Sequence, residues 1–394
     1  MPVSDSLRLW GEPAGGRVRA HPSRASSRTR SRSLLPAIAV SLIAALFATA
    51  CGGGGGRGAD DGRAAAAFPS VDTADPLAPV PLKEPKTVRV AVTSGALSYG
   101  AVFAANGLGE FKKENLTADV QVLPAQDAHV LLSQGRLDVA VTIPTPGVLN
   151  LISGGAGARV VFPGGGRQED STQGWYINKK ALGPNGKFDA ADVKGVTLGV
   201  PTGKASGAMG LFFEKVRAEG VDLKPDDVTF ENLAGADIAG ALERGAIDVG
   251  YISNPFNDVI IKSGCCEIMP GLISSRPSVY YWFSDSLRTQ NPDVGLAFVR
   301  ALARTTQTYL QGDFRADEKV VSALAAGSGT EANVVRTLEP NKFGTDLDGV
   351  PEEIASYQSW YLETDALSYT TPLTAGQIID RRFVDALKVG QKTR

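Results

Sequence analysis

"LPAQDAHVLLSQGRLDVAV", Leu123 to Val141, returns in altered spelling as "LAGADIAGALERGAIDVGY", Leu233 to Tyr251. At a fixed offset Asp127 meets Asp237, Leu132 meets Leu242, Gly135 meets Gly245 and Asp138 meets Asp248. A shorter echo precedes each copy at nearly the same offset, "VAVTSGALSYGA" from Val90 and "LGVPTGKASGA" from Leu198. There Ser94 matches Thr202, Gly95 matches Gly203 and Ser98 matches Ser206. One architectural unit is used twice.

Each copy alternates short apolar runs with amphipathic ones. In the first, "TVRVAVT", "DVQVLP", "DVAVTIP" and "ARVVFPG" read as strands, separated by helical stretches such as "DAHVLLSQG". Asp127 is the expected N-cap of that helix and Gly135 its terminal glycine, where a left-handed residue is needed. The second copy repeats the order from "TLGVP" to "CCEIMPG". Strand, helix, strand, helix, strand implies crossovers and a largely parallel sheet in each copy. Two aromatic segments flank the second copy, "GWYINKKAL" at Gly174 and "SVYYWFSDSL" at Ser278. Both read as extended, at the points where the chain enters and leaves that unit. Beyond them lie helical patterns, including "EEIASYQSWYLETDAL", expected to cover the first lobe.

At 394 residues the chain is long enough for about two domains. Its formal charge of −2 hides an asymmetry, because the first 50 residues contain seven Arg against Asp5 and Glu12. The remainder is therefore acidic, which argues against nucleic acid as a partner of the folded part. The basic leader runs into "LLPAIAVSLIAALFATA", Leu34 to Ala50, followed by Cys51 and a glycine run. A basic start, an apolar segment and small residues before a processing point describe a secretory signal. A spanning helix, the alternative, needs about 20 apolar residues, and this run falls short. "CGGGGGRGADDGRAAAAFPSVDTADPLAPVPLKEPK" then reads as a flexible, later extended tether from Cys51 to Lys86.

Enzymatic chemistry finds little to work with. His129 is the one histidine beyond the leader, which disfavours histidine-rich metal sites and leaves one candidate for a serine triad. Cys265 and Cys266 are neighbours; two such thiols make no disulfide framework, and they read as small buried residues entering a strand. "GVPTGKASG" from Gly199 has its glycines one residue too close for a phosphate loop, and Ala205 follows the lysine. What survives is the strand-to-helix turn, whose unpaired N–H groups favour an anionic or polar ligand atom. In open α/β sheets ligands gather at the carboxyl ends of strands. Those ends hold Ser94, Gly95, Ser98, Tyr99, Gln126 and Thr145 in the first copy, and Thr202, Ser206, Asn254 and Phe256 in the second. Trp175 and Trp282 are expected as flat walls between the two.

The pair "EFKKENLTADVQVLPAQDAHVLLSQGRLDVAV" and "DVKGVTLGVPTGKASG…ALERGAIDVGYISNPF" resembles the solute-binding lipoproteins of ABC importers for nitrate, taurine and alkanesulfonates. Proteins that bind the pyrimidine precursor of thiamine belong to the same broad family. The resemblance spans roughly residues 87–310. It implies a two-lobed, periplasmic-binding-protein-like α/β fold of type II, each lobe a mixed sheet flanked by helices. Its expected divisions are a signal (1–50), a tether (51–86), the first part of lobe 1 (87–175), lobe 2 (176–277), and a crossover strand with C-terminal helices completing lobe 1 (278–394). It further implies a lipid anchor on Cys51, a permease partner, a monomeric exported protein and a solute of the sulfonate or nitrate class, with no cofactor, metal or chemical step. The family commonly has Glu-Pro where this chain has Asn254-Pro255, so a carboxylate that could meet a ligand amine is absent there. The rival within the family is binding or synthesis of the thiamine pyrimidine. Its synthases use a histidine and clustered cysteines, against which this chain sets His129, the Cys265-Cys266 pair and an export signal.

Overall fold

Short runs of Val, Ile, Leu and Thr, each closed by a turn residue, form the strands of two five-stranded sheets in the computed structural model. It describes residues 65–72, 74–269, 271–272 and 276–388. The signal and Cys51 lie outside them. The first sheet takes β1 (Lys86–Val92), β2 (Leu116–Val122), β3 (Val139–Thr142) and β4 (Arg159–Pro163). After β5 (Gly165–Gly166) the chain crosses to the second sheet, made of β6 (Gly174–Asn178), β7 (Thr197–Val200), β8 (Thr229–Asn232), β9 (Val249–Ile252) and β10 (Cys266–Ile268). It then returns as β11 (Tyr280–Phe283).

The duplication is complete at the level of topology. Strand order is β2-β1-β3-β11-β4 in one sheet and β8-β7-β9-β6-β10 in the other. In each, four strands share one direction and a crossing strand, β11 or β6, is inserted antiparallel between two of them. The aromatic segments singled out from the sequence are these two insertions. Buried on both faces, they read as unbroken apolar runs, which accounts for "VYYWF" and "WYI".

The helices follow the same plan. In lobe 1 they are α1 (Gly100–Gly107), α2 (Ala125–Ser133) and α3 (Pro146–Ser153); in lobe 2, α4 (Ala208–Ala218), α5 (Gly235–Arg244) and α6 (Asn257–Ser263). Gly135 and Gly245 adopt φ of 67° and 70° at matching helix ends, as the repeat requires. Asp127 sits in the first turn of α2 as its third residue; Pro124 takes the cap position.

After β11 come α7 (Pro292–Tyr309), α8 (Glu318–Ser328), α9 (Ala332–Thr337), β12 (Lys342–Phe343), α10 (Val350–Glu363), α11 (Ala375–Ile378) and α12 (Arg382–Lys388). Helices α7, α8 and α12 complete lobe 1. Helix α10 does not stay there. Trp360 packs 4.5 Å from the ring of Phe213 on α4, and Arg217 pairs with Glu363, so its outer face covers lobe 2. Its other attachments are to lobe 1, through the Tyr361 hydroxyl on the Pro144 carbonyl and through the following residues on Asn150. One buried cluster consequently runs from the lobe 1 sheet into the α4 face of lobe 2, whereas the α5 face has a separate small one.

Two further expectations are corrected. The described part of the stretch read as tether is docked at several points: Phe68 meets the Phe383 ring, and the carbonyls of Leu77 and Val80 accept from Arg304 and Arg300. An extended, proline-rich chain leaves its carbonyls free, and the buried Arg300 and partly buried Arg304 capture them. Cys265 and Cys266 are joined in a disulfide and are half-buried, and Cys266 opens β10 at the sheet edge.

Candidate functional site

The crossing segments pair with one another before they part into the two sheets. Gly164 donates to the Val279 carbonyl, Ser278 donates to the Gly165 carbonyl, and Gly165–Gly166 pairs with β12. A Cβ on Gly164 would lie 2.4 Å from the Val279 side chain and 2.8 Å from its carbonyl oxygen, so only glycine permits this approach. The two crossings of the chain between the lobes meet in this small pleat.

The residues expected at the strand ends are dispersed around it. In lobe 1, Gly95 abuts the Ser328 carbonyl and Ser98 lies against Gly164 and Gly165. Ser94 caps its own turn by accepting from the Ala96 N–H, and the Tyr99 hydroxyl meets Thr93. Gln126 is exposed on α2, while Thr145 caps α3. In lobe 2, Thr202 takes φ 65° and donates its N–H to Asn232. Ser206 is 9% exposed, and the turn around it is covered by α10: Trp360 donates to the Lys204 carbonyl, and Gly207 lies against Tyr357 and Tyr361. Phe256 folds over Gly235 at the start of α5.

Trp175 and Trp282 are not walls of a cleft. They are 1% and 0% exposed, the first packed between Phe212 and Tyr251, the second donating to the Thr142 carbonyl. A large ring in a strand buried on both faces is core. His129 likewise is buried, with Nδ1 3.4 Å from the Thr145 hydroxyl and Nε2 unpartnered. Burial holds its imidazole down at about 4, hence neutral.

What the fold does bring together went unread in the sequence. Arg167, just past β5, lays its guanidinium over the Tyr251 ring of lobe 2 at 4.9 Å, and its Nε is buried without a hydrogen bond. Glu353 and Tyr357, one turn apart on α10, face it across the seam, with Tyr280 at the start of β11. The Tyr357 hydroxyl is 3.3 Å from Glu353 Oε1, and the buried Tyr280 hydroxyl and Glu353 carboxyl lie close enough to act on one another without a well-aligned hydrogen bond. Desolvation raises the Glu353 carboxyl to about 7, against the pull of Tyr280, Arg276, Tyr357 and Arg167. Burial also lowers the Arg167 guanidinium and raises the Tyr357 phenol. Polar groups held at one interlobe point without well-aligned hydrogen bonds are costly alone and suit a polar guest. The signal in the sequence was the spacing of Glu353, Tyr357 and Tyr361, a polar and aromatic stripe along one helix face.

Beside this cluster a cavity of about 530 Å3 opens between the lobes. Thr172 and residues 254, 255, 257 and 258 line it from one side and residues 312, 313, 334 and 337–340 from the other. Asn254 is the sequence-predicted residue that reaches it, and its amide spans the gap to the Glu339 carbonyl at 3.3 Å. Among the described residues no group of three or more His, Cys, Asp or Glu is arranged to hold a metal ion.

No protein-family model and no curated protein matches the sequence. Solved structures share the fold. The periplasmic aliphatic sulphonate binding protein SsuA from Escherichia coli, 17% identical, aligns with a TM-score of 0.57 over 77% of this chain and 100% of its own. The periplasmic nitrate-binding protein NrtA from Synechocystis PCC 6803 is 12% identical, with a TM-score of 0.56 over 79% and 90%. The ligand-binding component of an ABC-type import system from Staphylococcus aureus, solved with zinc bound, is 14% identical, with a TM-score of 0.55 over 76% and 98%. At these identities the likeness is one of fold.

Proposed function

We propose that this chain is the solute-capturing component of an ABC importer, holding a small polar molecule between its lobes and passing it to a membrane permease. The observation that carries this reading is the set of buried polar groups at the interlobe seam, Arg167 Nε with no hydrogen bond and the Tyr280 hydroxyl and Glu353 carboxyl without a well-aligned one. A guest that completes their hydrogen bonds gains about 1–3 kcal/mol for each group satisfied. Because the groups come from lobe 1 and from the bridging helix, over a ring of lobe 2, that gain is available only with the lobes together. Binding and closure are then coupled about the glycine pleat. The fold likeness to sulphonate- and nitrate-binding proteins supports the same reading.

The finer assignment is an oxyanion of the sulfonate or nitrate type placed on Arg167, whose planar guanidinium suits such a group. Lipidation of Cys51 would hold the protein at the outer face of the membrane as a monomer, next to its permease. No chemical step is assigned: His129 is enclosed, and the hydroxyl beside it already caps α3. Thermal unfolding of the purified soluble body with methanesulfonate, taurine, nitrate and a hydroxymethyl-pyrimidine tests the proposal. A true ligand at about a hundred times its Kd adds roughly 2.7 kcal/mol of stability. A body that no polar small molecule stabilises is not a solute receptor.

A further inference from the structure

The Cys265–Cys266 disulfide joins neighbours in the chain. A cross-link stabilises a fold mainly by closing a long loop of the unfolded chain, and this one closes through a single peptide bond. By that mechanism it contributes almost nothing as a staple. It is half-buried at the edge of the lobe 2 sheet, where a small reductant can reach it.

What the bond does control is where β10 begins. Successive side chains of a strand point to opposite faces, so two neighbours whose sulfurs are bonded cannot both lie in a regular strand. Strand β10 accordingly starts at Cys266, paired with Asn178. The next pair in that register is Cys265 with Lys179, and half of it is already made: the Lys179 N–H donates to the Cys265 carbonyl at 3.0 Å. The Cys265 N–H does not complete the pair; it turns back to Ser263 Oγ, at 3.3 Å, in the last residue of α6.

Cys265 is thus the joint between α6 and β10, with Gly264, at φ 63°, between it and the helix. At the other end of α6, Asn257 and Asp258 line the interlobe cavity, and Asn257 is tied to Thr172, just ahead of β6, by a 2.8 Å hydrogen bond. A shift of the joint is carried to that wall along a helix of seven residues.

We infer that Cys265–Cys266 is a reversible redox site, opened in the folded protein by a small dithiol, and that its opening extends β10 to Cys265 and moves the α6 wall of the cavity. A thiolate of the dithiol attacks one sulfur and the Cys265–Cys266 bond breaks. The second thiol resolves the mixed disulfide, so that both cysteines end as thiols, carrying the two protons, and the dithiol closes as its own disulfide. Two electrons pass to the protein, and an oxidised dithiol takes them back. The site does not depend on solute capture, which can hold or fail without it.

Dithiothreitol followed by iodoacetamide, applied to the intact protein under native conditions, tests it. Mass spectrometry should find two carbamidomethyl groups on the peptide holding Cys265 and Cys266, at reductant concentrations that leave the melting transition in place. Hydrogen exchange should slow about tenfold at the Cys265 amide as it joins the ladder, change across residues 257–264, and return to its starting value with oxidised dithiothreitol. In Cys265→Ser/Cys266→Ser the exchange should match that of the reduced protein and ignore the reductant; Cys265→Ser alone serves if the pair is not folded. A bond that yields only with global unfolding overturns the site. Reduction that leaves exchange across residues 257–266 unaltered overturns the coupling to α6, as does a response to dithiothreitol that persists in the variant.

Discussion

His129 and Glu353 act on stability with opposite pH dependence. The buried imidazole has a folded pKa of about 4, below its ordinary 6.5, so the unfolded chain takes up that proton first on acidification. Its contribution to stability is complete above pH 6.5 and is lost as pH falls towards 4. The Glu353 carboxyl, raised from 4.5 to about 7, behaves in reverse: the folded state keeps a proton that the unfolded chain has released. Its contribution is complete below pH 4.5 and is lost as pH rises through 7. Each term amounts to something on the order of 3 kcal/mol. Between pH 4.5 and 6.5 the two oppose, so the intact protein should show an almost flat stability there. Glu353→Gln should uncover the histidine term, lowering the urea midpoint at pH 4.5 relative to pH 6.5. His129→Gln should tilt the profile the other way. Parallel profiles for all three proteins would remove these residues as its source.

At the scale of elements, the N-terminal segment and α10 show what a hydrophobic period leaves open. Glu114 is 0% exposed and receives Arg300 and Arg304, each at 2.8 Å, while its carboxylate and carbonyl accept from the N–H groups of Val80 and Leu82. Segment 65–85 is thus fastened to lobe 1 through one carboxylate and two guanidinium groups. Breaking one member of a buried charge cluster costs about 3–5 kcal/mol, because the partners stay buried and uncompensated. Glu114→Gln should therefore destabilise by about that amount and open the segment to protease before the rest of the body, seen as early cleavage within residues 65–85 by mass spectrometry. Simultaneous digestion of segment and body would show that the strap is held in some other way. Helix α10 teaches the same lesson. Its helical pattern was evident from the sequence, but both lobes offer an apolar face, and the fit of Trp360 beside Phe213 and of Gly207 beneath Tyr357 carries its outer face onto lobe 2.

Over the whole molecule, three tryptophans lie in the described residues, and all are buried, at 1%, 0% and 2% exposure for Trp175, Trp282 and Trp360. Two are interior to single lobes, whereas Trp360 sits on the helix that bridges them. Solute-dependent change in tryptophan emission should accordingly come from Trp360 and vanish in Trp360→Phe, which keeps most of the packing and gives up one hydrogen bond to Lys204, worth about 1 kcal/mol. A change that survives this substitution would place the moving element elsewhere. The duplicated unit, the parallel strands, the aromatic insertions and the left-handed glycines at 135 and 245 were all legible in the sequence. They depend on periodicity and local backbone sterics, which neighbouring residues carry themselves. The fate of Trp175 and Trp282, the docking of segment 65–85 and the lobe chosen by α10 were not legible, since burial depends on what arrives from elsewhere in the chain. The seam illustrates the limit most sharply. Arg167, Tyr251, Tyr280 and Glu353 are spread over nearly two hundred positions, and their convergence, with the desolvation that sets their charges, exists only once the lobes and the bridging helix have come together.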